Sequence, residues 1–332
     1  MAIEQLCTFE ILRIDPESAA EVHRPAGGTV IDDRAESLLQ NCKRYFIQRT
    51  SKRYGCFSDD IGANPLPALL KQYRDEQIPF ARLAEKMIER FVELLDATAV
   101  TFHGHLLIAE NKGEQHEIYV VHLQLQSAFS INAQLEITET EYADLSKLGF
   151  AGRIQLDPWQ AQSANNYLAI SRHRGEKGLQ DIIETWFGFA ATVDTTADTQ
   201  EFLNVVEAFT SELPEEESQA TKTKVVEYCM DQEQHGEEIL YADLSAYLND
   251  EAPAAFAKFA AKNLEGGREG FIPDKNKLKK LVRFNGRDKD LSVSFSSMQL
   301  GKDVVYNRDT GELVLKRVPK GLLQQLNEHF SS

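Results

Sequence analysis

The chain is 332 residues long, which exceeds the length at which one hydrophobic core usually keeps growing, so we expect two domains. Its formal net charge of -16 excludes indiscriminate wrapping of nucleic acid unless the basic residues are segregated from the acidic ones. Four scattered cysteines without a C-x-x-C pair, no long apolar run and no leader-like N-terminus favour a cytoplasmic protein without a membrane span, a disulfide framework or a structural zinc site.

The first half of the sequence reads as a sheet with covering helices. A strand at "FEILRI" precedes a helix through "DRAESLLQNCKRYFIQR", a loop at "SKRYGCFSDD", and two helices at "PLPALLKQYRDEQ" and "PFARLAEKMIERFVELLDA". Alternating runs at "AVTFHGHLLIAE" and "HEIYVVHLQLQS" predict a hairpin, while "GFAGRIQL" and "NYLAISR" predict two more strands. With a helix at "LQDIIETWFGFA", residues 1–192 form a predicted N-terminal α+β domain.

The second half reads as helices followed by a small sheet. Helices are predicted at "TQEFLNVVEAFTSEL", "PEEESQATKTKVVEYCMDQEQH", "YADLSAYL" and "PAAFAKFAAKN". Alternation then predicts short antiparallel strands at "LSVSFSSMQL", "DVVYN" and "ELVLKRV", before a terminal helix at "GLLQQLNEHF". Because helices and antiparallel strands are grouped rather than alternating, the fold class is α+β, with residues 193–332 as a C-terminal domain.

Charge is distributed unevenly along this second half. Residues 194–251 contain sixteen acidic residues against two lysines, whereas residues 262–320 contain fourteen Lys or Arg against eight Asp or Glu. The densest basic stretch is "DKNKLKKLVRFNGRDKD", where Lys275, Lys279 and Arg283 share one face of a predicted helix. Phe284 is predicted to lie in the core. An ordinary solvated helix face and a phosphate-binding surface both fit this pattern.

Three basic stretches are candidate phosphate contacts. "SRHRGEKG" sits at a strand-to-helix turn, where free backbone N–H groups and the helix dipole favour an anion. The "DKNKLKKLVRFNGRDKD" stretch is the second, and the short cluster in "SKRYG" is the third and least specific. The candidate nucleic-acid-binding residues are Arg172, Arg174, Lys177, Lys275, Lys277, Lys279, Lys280, Arg283, Arg287, Lys52 and Arg53.

Motifs of known catalytic chemistry are missing from the sequence. It contains no G-x-S-x-G elbow, no G-x-x-x-x-G-K-[ST] loop and no G-x-G-x-x-G between a strand and a helix. His103 and His105 share one strand face and His116 and His122 share another, which leaves a histidine metal site open. "IPDKNK" and "AENK" supply only fragments of a metal-dependent nuclease pattern. We expect no enzyme activity and no cofactor or metal.

Four long stretches, in the same order, carry a resemblance that no single motif provides. They are "SKRYGCFSDD", "GRIQLDPWQAQSANNYLAISRHRGEKGLQDIIETWFGF", "VVEYCMDQEQHGEEILYADLSAYL" and "FIPDKNKLKKLVRFNGRDKDLSVSFSSMQLGKDVVYNRDTGELVLKRVP". In these the chain resembles the bacterial 37-kDa nucleoid-associated protein family, known as NdpA or YejK. The resemblance implies a cytoplasmic protein of the nucleoid that binds double-stranded DNA directly or through partners. It brings no catalytic residues with it.

The leading hypothesis is a non-catalytic nucleoid-associated protein that contacts DNA phosphates through segregated basic patches, largely independently of sequence. A rival hypothesis is an interaction module whose acidic segment, Asp194 to Glu251, docks on DNA-processing proteins. A variant of the first treats "EILYADLSAYL" and "PAAFAKFAAKN" as a helix-turn-helix, with Lys258 and Lys262 on the recognition helix. A metal-dependent nuclease is the enzyme alternative, and a two-fold homodimer would double a weak basic patch.

Overall fold

The computed structural model describes residues 2–49, 52–60, 62, 64–113, 115–171, 177–235, 238–250, 252–264, 268–296 and 299–330. For residues 2, 177, 235, 280, 282, 283 and 285 the description is limited to the backbone. The chain divides into two compact units, Met1–Asp194 and Thr195–Ser332. Among the described residues, no helix is both long and apolar enough to cross a membrane.

Unit 1 contains ten described strands and five α-helices. The strands are β1 (Ala2–Arg13), β2 (Glu21–His23), β3 (Lys52–Phe57), β4 (Phe102–Lys112), β5 (His116–Leu123), β6 (Leu125–Ile131), β7 (Ile137–Ala143), β8 (Ala151–Gln155), β9 (Leu168–Ser171) and β10 (Phe189–Val193). The helices are α1 (Asp33–Gln48), α2 (Leu66–Arg74), α3 (Phe80–Asp96), α4 (Leu156–Ala161) and α5 (Lys177–Phe187). A 3-10 turn spans Leu145–Lys147.

Eight of these strands form one antiparallel sheet in the order β10-β3-β9-β8-β5-β4-β1-β2. The hairpin predicted around "NKGEQ" is confirmed, with β4 and β5 paired from His105 opposite Leu123 to Lys112 opposite His116. The β5 strand is buried along its whole length, because helices pack on the sheet. The α+β prediction is confirmed.

The helices of unit 1 follow the sequence signals that predicted them. Asp32 begins α1, and its carboxylate accepts hydrogen bonds from the backbone N–H groups of Arg34 at 3.1 Å and Ala35 at 3.0 Å. In α3, buried side chains recur every three or four residues and face the sheet, as an amphipathic helix requires. The core between this helix and the sheet contains Phe91, Phe150 and Trp186, whose indole N–H donates to the Met87 carbonyl at 2.7 Å.

Two features of unit 1 differ from the prediction. The "SKRYGCFSDD" stretch, predicted as a loop, contains β3, which pairs with β9 on one side and β10 on the other. Its Gly55 is needed because an added Cβ would collide with the Ala190 carbonyl of β10. The run "HEIYVVHLQLQS" also breaks after Leu123, since β6 leaves the large sheet and pairs with β7 in a separate two-stranded hairpin.

Unit 2 contains a helical part followed by short strands. In chain order its elements are α6 (Thr195–Ser211), α7 (Glu215–His235), β11 (Ile239–Leu240), α8 (Tyr241–Leu248), α9 (Ala255–Asn263), β12 (Gly270–Phe271), α10 (Lys275–Val282), β13 (Arg283–Arg287), β14 (Ser292–Ser296), β15 (Val304–Tyr306), β16 (Leu313–Leu315) and α11 (Lys320–Phe330). The pairs β11-β12, β13-β14 and β15-β16 are antiparallel and each stands alone as a two-stranded sheet.

The core of unit 2 lies in its helical part. Phe202, Phe256 and Phe271 pack together with Leu278 of α10, all nearly inaccessible to solvent. From β13 onward, Val304 is the one buried apolar side chain among the described residues. The predicted core position of Phe284 is wrong: its side chain is 46 % exposed, because it lies on a two-stranded hairpin with little packed against it.

Candidate nucleic-acid interface

The helix α10 carries the densest basic stretch and is fixed at its start by Asp274. The Asp274 carboxylate accepts hydrogen bonds from the backbone N–H groups of Asn276 at 2.9 Å and Lys277 at 3.3 Å. Its backbone N–H donates to Thr199 Oγ1 at 2.8 Å, which ties the helix start to α6. Leu278 is fully buried on the inner face of the helix. The basic residues therefore project from an anchored element.

Two of the predicted lysines on this helix already have partners. Lys275 Nζ lies 2.8 Å from a carboxylate oxygen of Glu233 on α7, and both side chains are largely buried. Lys277 Nζ donates to the Gln200 side chain at 3.3 Å. Lys279, by contrast, is exposed and has no ion pair within the described part of the chain. The helix thus presents fewer unpaired charges than its composition suggests.

The predicted helical face of Lys275, Lys279 and Arg283 does not continue to its third member, because α10 ends at Val282 and Arg283 begins β13. The chain then forms the hairpin of β13 and β14, in which Arg287 pairs with Ser292 and the turn between the strands contains Lys289. Arg287 and Lys289 are exposed. The described lysines and arginines here divide between a helix and a β-ribbon.

Further exposed cations follow on the next hairpin and helix, beyond those singled out from the sequence. They are Lys302, Arg308, Lys316, Arg317 and Lys320. Within the described residues, the acidic side chains nearby in sequence, Asp303, Asp309 and Glu312, form no ion pairs with them. The sequence signal that could have identified these cations is the excess of Lys and Arg between residues 262 and 320, a longer region than the single dense stretch. We call Lys275–Lys320 the basic C-terminal segment.

The basic candidates in unit 1 are placed differently. Arg53 of β3 forms an ion pair with Glu184 of α5, and its guanidinium carbon lies over the Phe189 ring, 5.0 Å from the ring centroid. Lys52 donates to the Ile47 carbonyl. Arg172 and Arg174 lie outside the described residues, and Lys177 is the first residue of α5. The two described side chains therefore hold strand β3 to its neighbours.

The acidic part of unit 2 is helical. The first turn of α7 holds Glu215, Glu216 and Glu217, where carboxylates favour the positive end of the helix dipole. Arg268 is not available as a free cation, because it pairs with Asp198 and with Glu201, the latter at 2.6 Å. The hydrogen bond to Asp198 is the main cause that raises the pKa of Arg268. Unit 2 thus keeps its cations paired around α6 and leaves them unpaired toward its C-terminal hairpins.

The proposed helix-turn-helix corresponds to α8 and α9, with β11 and β12 flanking them. Phe256 and Ala260 face the core of unit 2, while Lys258 and Lys262 are exposed on the other side of α9. Helix α9 therefore presents two cations to solvent. This is fewer than the exposed cations on the hairpins that follow.

The histidines divide between the two faces of the large sheet. Because His122 pairs with Leu106, it shares the face of the α3 core, whereas His105, one residue earlier on β4, lies on the opposite face beside Glu10. His116 is held by Glu110 at 2.5 Å and by Arg74 at 2.6 Å. Within the described residues, no three His, Cys, Asp or Glu side chains converge on a common metal position.

Together these observations define an acidic α+β protein with a C-terminal segment of short hairpins. This segment concentrates exposed cations that form no ion pair with the described residues. Comparison with known proteins gives the family. A model of the family described as nucleoid-associated protein YejK matches residues 13–323. The chain belongs to this family of nucleoid-associated proteins.

Relatives align along the full chain. A nucleoid-associated protein of Pseudomonas entomophila (strain L48) is 29% identical over 326 residues, covering 96% of this chain and 97% of the relative. One from Metapseudomonas resinovorans is 27% identical over 331 residues, covering 98% and 99%. The predicted family and its bacterial setting are confirmed.

Proposed function

We propose that this nucleoid-associated protein binds duplex DNA directly, through phosphate contacts made by the basic C-terminal segment, without catalysis and largely without sequence preference. The supporting observation is the set of exposed cations that have no acidic partner within the described residues. They are Lys279, Arg287, Lys289, Lys302, Arg308, Lys316, Arg317 and Lys320. Lysine and arginine side chains of this kind supply most of the affinity for the DNA backbone.

The net charge of -16 does not prevent this binding. Repulsion from acidic side chains is screened over a Debye length of about 10 Å at 0.1 M salt, so a cation in contact with a phosphate dominates locally. Neutralising about six phosphates would give a log-log salt slope of roughly -5.

The other candidate residues are proposed to contribute differently to phosphate binding. Lys280 and Arg283 belong to the same segment, so they join the phosphate contacts. Arg172, Arg174 and Lys177 are proposed as a second anion site at the start of α5, where the helix dipole favours phosphate. Lys275 and Lys277 would contribute after releasing Glu233 and Gln200. Lys52 and Arg53 carry the least weight, because they are engaged within unit 1.

A second candidate function rests on the acidic helices. The exposed Glu215, Glu216 and Glu217 at the start of α7 would suit docking on a basic surface of a DNA-processing protein. In that case nucleoid association would be indirect, and the purified protein would not bind DNA.

The test is duplex-DNA affinity measured by fluorescence anisotropy at several salt concentrations. The variant Lys316→Gln with Arg317→Gln removes two exposed charges from the basic C-terminal segment, and its salt slope should flatten by about 2. The matched control, Lys71→Gln with Lys112→Gln, removes two exposed charges from unit 1 and should leave the slope unchanged. Absence of wild-type binding even at low salt would overturn direct binding and favour the docking function.

A further inference from the structure

The hairpin of β13 and β14 has two chemically different faces. Its register pairs Phe284 with Phe295, Gly286 with Val293 and Arg287 with Ser292. Successive residues of a strand point to opposite sides, so the aromatic pair and the Gly286–Val293 pair lie on one face. The positions of the other face are Arg283, Asn285, Arg287, Ser292, Ser294 and Ser296. Every residue in that alternation has a hydrogen-bonding side chain.

The apolar face holds the two strands together. The Phe284 and Phe295 rings contact each other across the strands, tilted by 37° with their centroids 5.4 Å apart, and such cross-strand aromatic pairs stabilise antiparallel hairpins. An added Cβ at Gly286 would meet nothing within 4 Å, and Phe284 is 46 % exposed, so the apolar face is open at these positions. A two-stranded ribbon is narrow enough to enter a groove that a wider sheet cannot.

We propose that this ribbon lies in the major groove of duplex DNA, with the face of Arg287 and its neighbours toward the base edges. This inference rests on the proposed direct binding of DNA, whose affinity stays dominated by phosphate contacts. It adds the element and the groove through which binding occurs, and a limited preference for guanine. The major groove, about 12 Å wide, admits a two-stranded ribbon, whereas the minor groove, about 6 Å wide, does not. A five-residue strand spans roughly 17 Å, the length of about five stacked base pairs.

The residue types of this face match the chemistry of the major groove. Arginine, the residue type of Arg287, donates two hydrogen bonds to guanine O6 and N7, and serine, the type of Ser292, bonds to either base. Positions 283, 285 and 287 lie on this face at a spacing of about 6.8 Å, the rise of roughly two base pairs, so the strand addresses every second base pair. The cations that follow, including Lys316 and Arg317, are then the phosphate contacts that position the ribbon.

The turn of the hairpin constrains how the ribbon lies. Asp288 and Asp290 flank Lys289, and the Asp288 N–H donates to the Leu291 carbonyl at 2.7 Å, which closes the turn. Carboxylates are repelled by the phosphate backbone, so a ribbon inserted turn-first would be opposed. The ribbon therefore lies along the groove floor, with its turn beyond the contacted bases.

The first experiment uses the wild-type protein and two groove-binding competitors. Methyl green occupies the major groove and netropsin the minor groove of the same 20-base-pair duplex. We expect saturating methyl green to weaken binding by about tenfold or more, the loss of roughly one bidentate base contact, and netropsin to have no effect. Competition by netropsin with none by methyl green would overturn the ribbon while leaving direct DNA binding intact. No wild-type binding to any duplex at low salt would overturn both.

The second experiment removes one acceptor atom from the DNA. Replacing guanine by 7-deazaguanine deletes the N7 that a bidentate arginine uses, and wild-type affinity should fall by roughly tenfold on a guanine-rich duplex. The variant Arg287→Ala should lose most of this sensitivity, while Lys316→Gln with Arg317→Gln should keep it despite weaker overall binding. Equal affinity of the wild type for both duplexes would contradict base-edge contact. This comparison uses the wild-type protein alone, so it does not depend on any variant folding.

Discussion

Arg13 of unit 1 and the pair Lys316 and Arg317 of unit 2 use their charges in opposite ways. In unit 1, the Arg13 guanidinium is almost wholly buried and donates to the carbonyls of Leu95, Thr98 and Val100 at 2.6 to 2.9 Å. In the basic C-terminal segment, Lys316 and Arg317 are exposed on a short hairpin with no described carboxylate paired to them. Arg13 therefore stabilises the fold of unit 1, while Lys316 and Arg317 are available to a ligand.

This contrast separates charge in the sequence from charge at the surface. The "SKRYG" and "DKNKLKK" stretches are both basic in sequence. In the structure, however, Arg53 is paired with Glu184, while Lys279 is exposed to solvent on a helix. A buried or paired cation costs desolvation energy that only fixed partners can offset. An unpaired exposed cation keeps its interaction energy for an incoming phosphate. The contrast can be tested by changing residues on each side of it.

The largest effect is expected at Arg13. The substitution Arg13→Met keeps much of the side-chain volume but removes the donors, so several buried carbonyls lose their hydrogen bonds. At about 1 to 3 kcal/mol for each unsatisfied group, with partial relaxation, unit 1 should lose about 3 to 5 kcal/mol of unfolding free energy. Urea unfolding followed by tryptophan fluorescence measures it, since Trp186 lies in the core of this unit.

The control for this change is Arg34→Met on α1, whose side chain is exposed and pairs with Asp32 at the surface. The urea midpoint should stay unchanged. Equal destabilisation by both substitutions would mean that removing any arginine, rather than this hydrogen-bond network, lowers the stability.

The next effect concerns the close approach of β5 and the chain before β8. An added Cβ at Gly149 would collide with His122 Nδ1, which is buried between the Phe102 and Phe150 rings. Overpacking of this kind costs about 1 to 3 kcal/mol, so Gly149→Ala should lower the urea midpoint. Gly286→Ala is the matched control, because its Cβ meets nothing within 4 Å, and it should be neutral.

A double variant distinguishes this collision from a general backbone effect. With His122→Ala present, the added methyl group at residue 149 has room. The two changes should therefore cost less together than the sum of their separate costs. Strict additivity would contradict the steric explanation.

The sequence predicted the fold class because hydrophobic periodicity is a local signal. The stripe of α3 and the alternation of β4 and β5 are read from each segment alone. The β3 strand was missed because "SKRYG" contains polar residues and glycine, and its strand conformation depends on pairing with β9 and β10, which come more than a hundred residues later. The division into domains at residues 1–192 and 193–332 stays a prediction.

For the candidate site, the sequence could indicate the region but not which charges are free. The excess of Lys and Arg between residues 262 and 320 is visible in composition. The partners of Lys275 and Lys277 lie on α7 and α6, so no local pattern could show that these two lysines are engaged. The apolar and polar faces of the β13-β14 ribbon also depend on register, which a run of mixed residues does not fix.

A smaller effect on stability is expected at the Lys275–Glu233 ion pair, where a lysine of the basic C-terminal segment is engaged by a carboxylate. The substitution Glu233→Gln removes the carboxylate that pairs with Lys275 and leaves a partly buried ammonium without its counter-charge. Unit 2 should lose about 1 to 2 kcal/mol of unfolding free energy, within the range for a buried partner of a charged hydrogen bond. The released lysine should steepen the DNA salt slope by about 1. Thermal unfolding and anisotropy titration measure the two effects.

Lower stability with an unchanged salt slope would show that Lys275 lies beyond reach of the DNA. In that case the free charges of the basic C-terminal segment would begin at Lys279. The matched control is Glu328→Gln on α11, an exposed carboxylate of the same unit, which should leave the stability unchanged.

The smallest effect is expected for Arg53→Gln in unit 1. The Arg53–Glu184 pair is about one-third exposed on both sides, and solvent-exposed ion pairs contribute about 1 kcal/mol or less, so the urea midpoint should move slightly. Because this arginine is engaged by Glu184 and the Phe189 ring, its removal should not alter the DNA salt slope. A slope that flattens by about 1, as a lost phosphate contact requires, would place DNA against β3. It would contradict the assignment of the phosphate contacts to the basic C-terminal segment.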